Sequence, residues 1–336
     1  EATRDFLRRE ACRIVDTYGN HPSFCLLSLG NEHGATNRDW LMELLEQLCD
    51  ADPRHLYTCQ SHPSDLTRSD DFFETAGTEK GIIRGLGRAG STTDFDFKQE
   101  LVDYSSPVIT HELAQWESYP PFSQIASYTG HLLPLNFQSY KQSLEANGLA
   151  EYADAFVAAS GKLQTLLYKE ECEAQLRTKE LAGFSLLSVQ DFPGQGTALV
   201  GVVDALWQPK GYVTPEEWRQ WCGPTVLLAR IEKRQLTTSD SLRAKIEVAH
   251  WAAEPLLSAQ PYWQLLDDDG ALIAKGELPQ EDLPAGGVTP LGEVIIPLAD
   301  LPAPCELTLK VNLTGTAFRN EWHVWVYPKE DRKSVV

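Results

Sequence analysis

The chain has 336 residues, 42% of them hydrophobic and 23% charged, with a formal net charge of −19. Such acidity argues against nucleic acid as a partner, because binding phosphates needs clustered Lys and Arg, and no apolar run approaches the roughly 20 residues needed to span a bilayer. The length exceeds what one core usually supports, so a larger and a smaller domain are expected.

The chain opens without Met, directly into a helical pattern, and is read as a fragment. Leu7, Ala11, Ile14, Val15 and Tyr18 fall at helical spacing and Gly19 offers a left-handed stop. Residues 23–29 then form a short apolar run, read as a parallel strand covered on both faces. Leu41, Leu44, Leu45 and Leu48 mark a second amphipathic helix, and residues 55–60 a second strand. The alternation continues with a helix capped by Asp94, a strand at 107–111, helices at 138–146 and 162–177, and a strand at 183–190. This is the grammar of a (β/α)8 TIM barrel. Only four or five strands can be counted, so this is the C-terminal portion of the barrel, with the early strands expected upstream.

Thr214 and Pro215 start a boundary helix running to Trp221. Beyond it the texture changes. Leu242, Ala244, Ile246 and Val248 alternate at period two, residues 262–266 and 271–275 flank an Asp-Asp-Asp-Gly turn, and short strands centre on Ile295, Leu307 and Val324. An all-β, immunoglobulin-like sandwich is expected over 231–336, after a partial barrel over 1–230, with Trp322, Trp325 and Tyr327 filling its core.

Seven cysteines are scattered with no C-x-x-C pair and no His at zinc spacing, which gives no metal signature. The apolar settings of Cys25 and Cys49 suggest buried reduced thiols. The compartment stays open between periplasm and cytoplasm. Glycine pairs such as Gly85-Leu86-Gly87 lack dinucleotide or P-loop spacing.

In a barrel, the polar residues directly after each strand face the active-site mouth. Those positions hold Asn31, Glu32 and His33, then His62, then His111 and Glu112, and finally Gln190 and Asp191. Two glutamates on different strands are what glycoside hydrolysis requires, one to attack the anomeric carbon and one to protonate the leaving oxygen. Trp116 and Tyr119 could stack on a pyranose, although packing as loop aromatics accounts for them equally. Arg84 and Arg88 could clamp a carboxylated sugar or lie in a surface loop.

The string Asn20-His-Pro-Ser-Phe-Cys-Leu-Leu-Ser-Leu-Gly-Asn-Glu32 closely resembles the strand-four motif of glycoside hydrolase family 2. The resemblance implies that Glu32 is the general acid/base and that Asn31 binds the substrate 2-hydroxyl. Pro107-Val-Ile-Thr-His-Glu112 fits the strand-seven place of the nucleophile, 80 positions further on, which suits three β/α units. Residues 187–204 and 211–218 look like a branch of this family found among polysaccharide-degrading bacteria, except that Gln190-Asp191 stands where a Trp often ends strand eight. The implied activity is a retaining exo-β-glycosidase, β-galactosidase first and β-glucuronidase as rival, with the carboxyl groups about 5 Å apart. It needs no cofactor, takes a carbohydrate partner, and leaves homo-oligomerisation open. From another class, a carbohydrate-binding relative without turnover is the alternative.

Overall fold

A computed structural model describes residues 2–33, 37–61, 71–86, 92–192 and 198–329. His62 and Arg88 lie outside the described residues. The fold is mixed α/β, and the chain divides into two interleaved compact units.

The first unit comprises Glu1–Gly85, Phe97–Leu113 and Glu180–Leu187. Helix α1 (Ala2–Tyr18) buries Ala11 and Val15, and α2 (Arg38–Ala51) buries the expected Leu41, Leu44, Leu45 and Leu48. They share a core with Tyr57 and Cys59. Strands β1 (Leu26–Ser28) and β2 (Leu56–Thr58) pair in parallel across α2, a β-α-β unit. Leu26 is 41% exposed, so β1 is not the doubly covered strand its composition suggested. Next come β3 (Phe73–Thr75) and a small antiparallel pair, β4 (Gly77–Thr78) with β5 (Gly81–Ile82). After the single-turn helix α3 (Lys98–Leu101), β6 (Val108–Leu113) pairs in parallel with β3 on one side and with β7 (Leu181–Leu186) on the other. Between β2 and β3, Asp71 N–H donates to Tyr57 O at 2.9 Å and Tyr57 N–H donates to the Asp71 carboxylate at 2.8 Å. The parallel strands expected of a barrel are present, but among the described residues they form a two-stranded and a three-stranded ladder, and no eight-stranded barrel closes.

The second unit comprises Leu86–Asp96, Ala114–Lys179 and Ser188–Val336. Its helices are α4 (Leu135–Ala146), α5 (Ala153–Arg177) and α6 (Pro215–Trp221). Thr214 closes a capping box with Glu217, as a Thr-Pro-Glu-Glu start should. The antiparallel strands are β8 (Thr225–Arg230), β10 (Ser241–His250) and β15 (Gly287–Pro297) in one sheet. A second sheet has the order β13 (Leu272–Glu277), β12 (Pro261–Asp267), β16 (Cys305–Leu313), β17 (Arg319–Tyr327) and β9 (Gln235–Thr237), while β11 (Leu256–Ala259) and β14 (Glu281–Leu283) pair at the side. Alternate residues of both main sheets, among them Leu242, Ile246, Val294, Leu309 and Val324, fill one apolar core. The period-two residues Leu242, Ala244, Ile246 and Val248 lie in this core.

Two expectations are corrected here. Trp322 is fully buried, whereas Trp325 and Tyr327 are 38% and 49% exposed. The reason is the two-residue period of a strand: Trp322, Val324 and Val326 point inward, so odd offsets from Trp322 must point out. Cys25 is exposed and Cys49 half-buried, while Cys59 and Cys172 are the buried thiols, and all seven cysteines are free.

Helix α5 lies in the same unit as the sandwich strands. Glu173, fully buried on α5, accepts from Trp322 Nε1 at 2.9 Å and Asn320 Nδ2 at 2.7 Å. Lys169 donates to Glu173 and to Asn320 Oδ1, the latter at 2.9 Å, and Arg177 Nη1 lies 3.6 Å from Glu173 Oε2. Asn320 Nδ2 also donates to Leu227 O at 2.7 Å, tying the helix to both sheets. Burial alone would push the Glu173 carboxyl up, but Lys169, Arg177 and the donated hydrogen bonds hold it below the usual range.

Candidate active site

The first unit places two polar clusters at strand ends. Beyond β1, Asn31 bridges in parallel to Ser61, Ser61 N–H donates to Gly30 O at 2.8 Å, and Glu32 N–H donates to Ser61 O at 3.2 Å. The Gly-Asn-Glu turn is thus stitched on both sides to the residue that follows β2. Ser61 Oγ donates to Glu74 Oε2 on β3 at 2.6 Å, so three neighbouring strands are coupled through one hydroxyl. His33 N–H donates to Gln60 Oε1 at 2.5 Å, and its ring folds back to place Nε2 3.5 Å from Leu29 O.

Gly30 explains itself in this arrangement. A Cβ built there would sit 1.9 Å from His33 Nε2, so the absence of a side chain is what lets the ring lie over the turn. Gly30 also has a φ of 159°, which side chains rarely adopt, so Gly30→Ala would strain the turn itself, whereas His33→Ala removes the ring alone. If His33 touches substrate, the expected result is a KM raised about 2- to 10-fold, the worth of one hydrogen bond, with kcat little changed. Unaltered kinetics would remove His33 from the binding residues.

The second cluster closes β6. Arg84 Nη1 donates to three acceptors, His111 O at 3.3 Å, Glu112 O at 3.2 Å and Glu112 Oε2 at 3.3 Å. His111 Nε2 lies 3.9 Å from Glu112 Oε1. Arg84 therefore grips the backbone turn and the carboxylate together, with a guanidinium of fixed charge. Arg84 and Glu112 side chains are 27% and 28% exposed, open enough to be reached by a solute.

Both glutamates adopt a backbone conformation that side chains usually avoid. Glu32 has φ of 50° and Glu112 of 54°. Non-glycine residues in the left-handed region cost of the order of 1 kcal/mol, and such strain persists where the surroundings over-determine it, often at functional sites. Glu32 is held by the Ser61 stitching and Glu112 by Arg84. Among the described residues only three other non-glycine positions have positive φ: Ala114, Trp207 and Ser258.

The remaining candidates fall in the second unit. Asp191 is buried, pairs with Lys210 Nζ at 2.7 Å and accepts from Gly201 N–H at 3.0 Å. Burial pushes its carboxyl up, and Lys210 offsets this only in part. Gly201 packs so closely on the Gln190–Asp191 backbone that a Cβ there would meet Gln190 C at 2.2 Å. Gln190 is half-buried and bridges to Val203. Trp116 commits its indole N–H to buried Glu171 at 2.7 Å, and Tyr119 packs edge-on against Phe122 and Phe156. Asp191, Trp116 and Tyr119 are thus each engaged by neighbours within the second unit.

Sequence reasoning passed over Gln60, Ser61 and Glu74. The first two obey the same rule as the others, polar residues just past a strand. Glu74 lies in a strand of three residues, too short for periodicity to register.

A family described as a domain of unknown function (DUF8488) matches residues 240–328, which coincide with the sandwich from β10 to β17. No curated protein matches the sequence. Among solved structures, the exo-chitosanase CsxA of Amycolatopsis orientalis superposes with a TM-score of 0.51 at 11% identity, covering 97% of this chain and 39% of that one. A β-glucuronidase of Parabacteroides merdae, solved with glycerol in its active site, gives 0.45 at 13% identity over 98% and 39%. An FMN-binding β-glucuronidase from Facaelibacterium prausnitzii L2-6 gives 0.35 at 12% over 98% and 45%. The likeness to the chitosanase is one of fold, and the chain spans less than half the length of each of these neighbours.

Proposed function

We propose that this chain carries the catalytic carboxylates of a retaining exo-β-glycosidase of the glycoside hydrolase family 2 type, its parallel strands being staves of the catalytic barrel. The observation that carries the reading is the backbone of Glu32 and Glu112. The two glutamates selected from sequence motifs both end parallel strands of one unit, and both sit in the strained left-handed conformation.

In this mechanism the Glu112 carboxylate attacks the anomeric carbon and the bond to the leaving oxygen breaks. Its electron pair takes the proton carried by Glu32. Water then attacks the glycosyl ester, giving its proton to Glu32 and releasing Glu112. Arg84 holds Glu112 Oε2 and orients the nucleophile. Asn31, beside Glu32, meets the 2-hydroxyl.

The sugar is proposed to be galactose. Arg84, one of the two arginines that could have marked a uronic acid, spends its Nη1 on Glu112 and the adjacent carbonyls, which favours nucleophile positioning over a substrate clamp. A panel of aryl β-galactoside, β-glucuronide and β-glucosaminide, assayed with the full-length protein, decides the sugar. A 2-deoxy-2-fluoro analogue of the best substrate should then label Glu112 stoichiometrically, read by peptide mass spectrometry. A label on another residue, or inverted product, refutes the assignment.

A further inference from the structure

We propose that the second unit holds a separate binding site for an acidic saccharide, in a cavity of about 640 Å³ between α6 and the ends of β12, β16 and β17. The site rests on the glycosidase reading only for the choice of a saccharide over other anions. Its size falls in the range of small-molecule sites, roughly 300–1,000 Å³.

The floor follows from strand register. Tyr262 pairs with Asn312 across β12–β16, and Asn312 pairs with Arg319 across β16–β17. Residues directly opposite share a face of the sheet, so an aromatic ring, an amide and a guanidinium stand in one row. Their neighbours Val311, Leu313 and Asn320 are buried on the opposite face, which turns this row outward. Arg219 enters from α6, where it pairs with Glu216 at 3.1 Å while both stay mostly exposed. Arg319 has no carboxylate partner among the described residues and is exposed. The lining thus carries two arginines, Arg319 and Arg219, against one carboxylate, Glu216, which pairs with Arg219 and leaves the cavity net positive.

The walls are fixed in advance. The β16–β17 loop is braced by Thr316 Oγ1 donating to Leu313 O at 2.9 Å and accepting from Phe318 N–H at 3.1 Å, and Thr314 N–H is anchored on Gln260 O at 2.9 Å. The opposite wall, α6, starts from its capping box. Rigid walls lower the entropy lost on binding. A ring face, an amide and two guanidiniums suit a pyranose bearing a carboxylate or a sulfate ester: Tyr262 meets the apolar ring face, Asn312 a hydroxyl, and the arginines the anion.

Calorimetric titration of the full chain tests this, using methyl β-glucuronide, galactose 6-sulfate, methyl β-galactoside and sodium sulfate at matched ionic strength. At least one acidic sugar should bind saturably, weaken as salt rises, and lose about tenfold or more in affinity with Arg319→Gln or Arg219→Gln. The carboxylate and sulfate arms tell which acid is read. Tyr262→Ala should weaken binding as well, and Arg319→Gln should leave aryl-glycoside hydrolysis unchanged. Saturable binding of no acidic sugar, binding of methyl β-galactoside that Arg319→Gln weakens as much as binding of the acidic sugar, or sulfate binding as tightly as the acidic sugars overturns the proposal. So does binding that survives Arg319→Gln but disappears with Glu112→Gln, which would locate the sugar at the catalytic glutamates and leave the glycosidase reading intact.

Discussion

Glu32→Ala should cut kcat on a β-galactoside with a poor leaving group by about 10²- to 10⁴-fold, the usual worth of a positioned acid or base. The same variant should cleave a dinitrophenyl glycoside almost normally in the first step, since that leaving group departs without a proton. The glycosyl-enzyme would then wait for water, with no base to activate it. Azide needs no base, so it should restore turnover and deliver a β-configured glycosyl azide. Glu112→Ala behaves differently: the covalent step is lost on every substrate, and azide, attacking from the vacated face, gives the α-azide. Identical responses of the two variants, or no azide effect on either, would mean that the roles are wrong.

Glu173→Gln should be the most destabilising single change outside the candidate site. The glutamine keeps the shape and an acceptor for Trp322 but removes the charge that compensates Lys169 and Arg177, both buried. Leaving buried charges unpaired costs about 3–5 kcal/mol, readable as a lowered urea midpoint. A second measurement follows from linkage. The folded protein holds the Glu173 carboxyl below its ordinary value, so its contribution is complete above the unfolded pKa of about 4.3 and is lost as pH falls through the lower folded value. Stability of the natural protein should therefore decline through this acid window, and the glutamine variant should lack that share of the decline. A cost under about 1 kcal/mol, or an unchanged acid profile, would show that the network contributes little.

How far these features could be read from the sequence depended on the length of each pattern. Leu41, Leu44, Leu45 and Leu48 and the alternating Leu242 to Val248 are long periodic signals, and both became elements as expected. Strand β3, with three residues, had no period to show, and Glu74 went unseen with it. Glu32 and Glu112 were visible because chemistry confined them to strand ends. Their strained backbone was not, since it arises from Ser61 and Arg84, which are distant in sequence. Arg84 itself was noticed for its charge, with a sugar acid or a surface loop as its readings, and its contact with the nearby glutamate went unseen. The sandwich aromatics failed for a simpler reason: Trp325 lies three positions after Trp322, and a strand puts odd offsets on opposite faces.

The dependence of α5 on Asn320 and Trp322 bears on the order in which the protein is made. The helix leaves the ribosome long before the last sandwich strand exists, so the surface destined for the interior is first exposed to water. An apolar surface there would invite aggregation during the wait. Lys169, Glu173 and Arg177, spaced four residues apart along the helix, can hydrate and pair among themselves in the interim. The ionic seam thus lets a helix remain soluble until its late-arriving partner completes the fold.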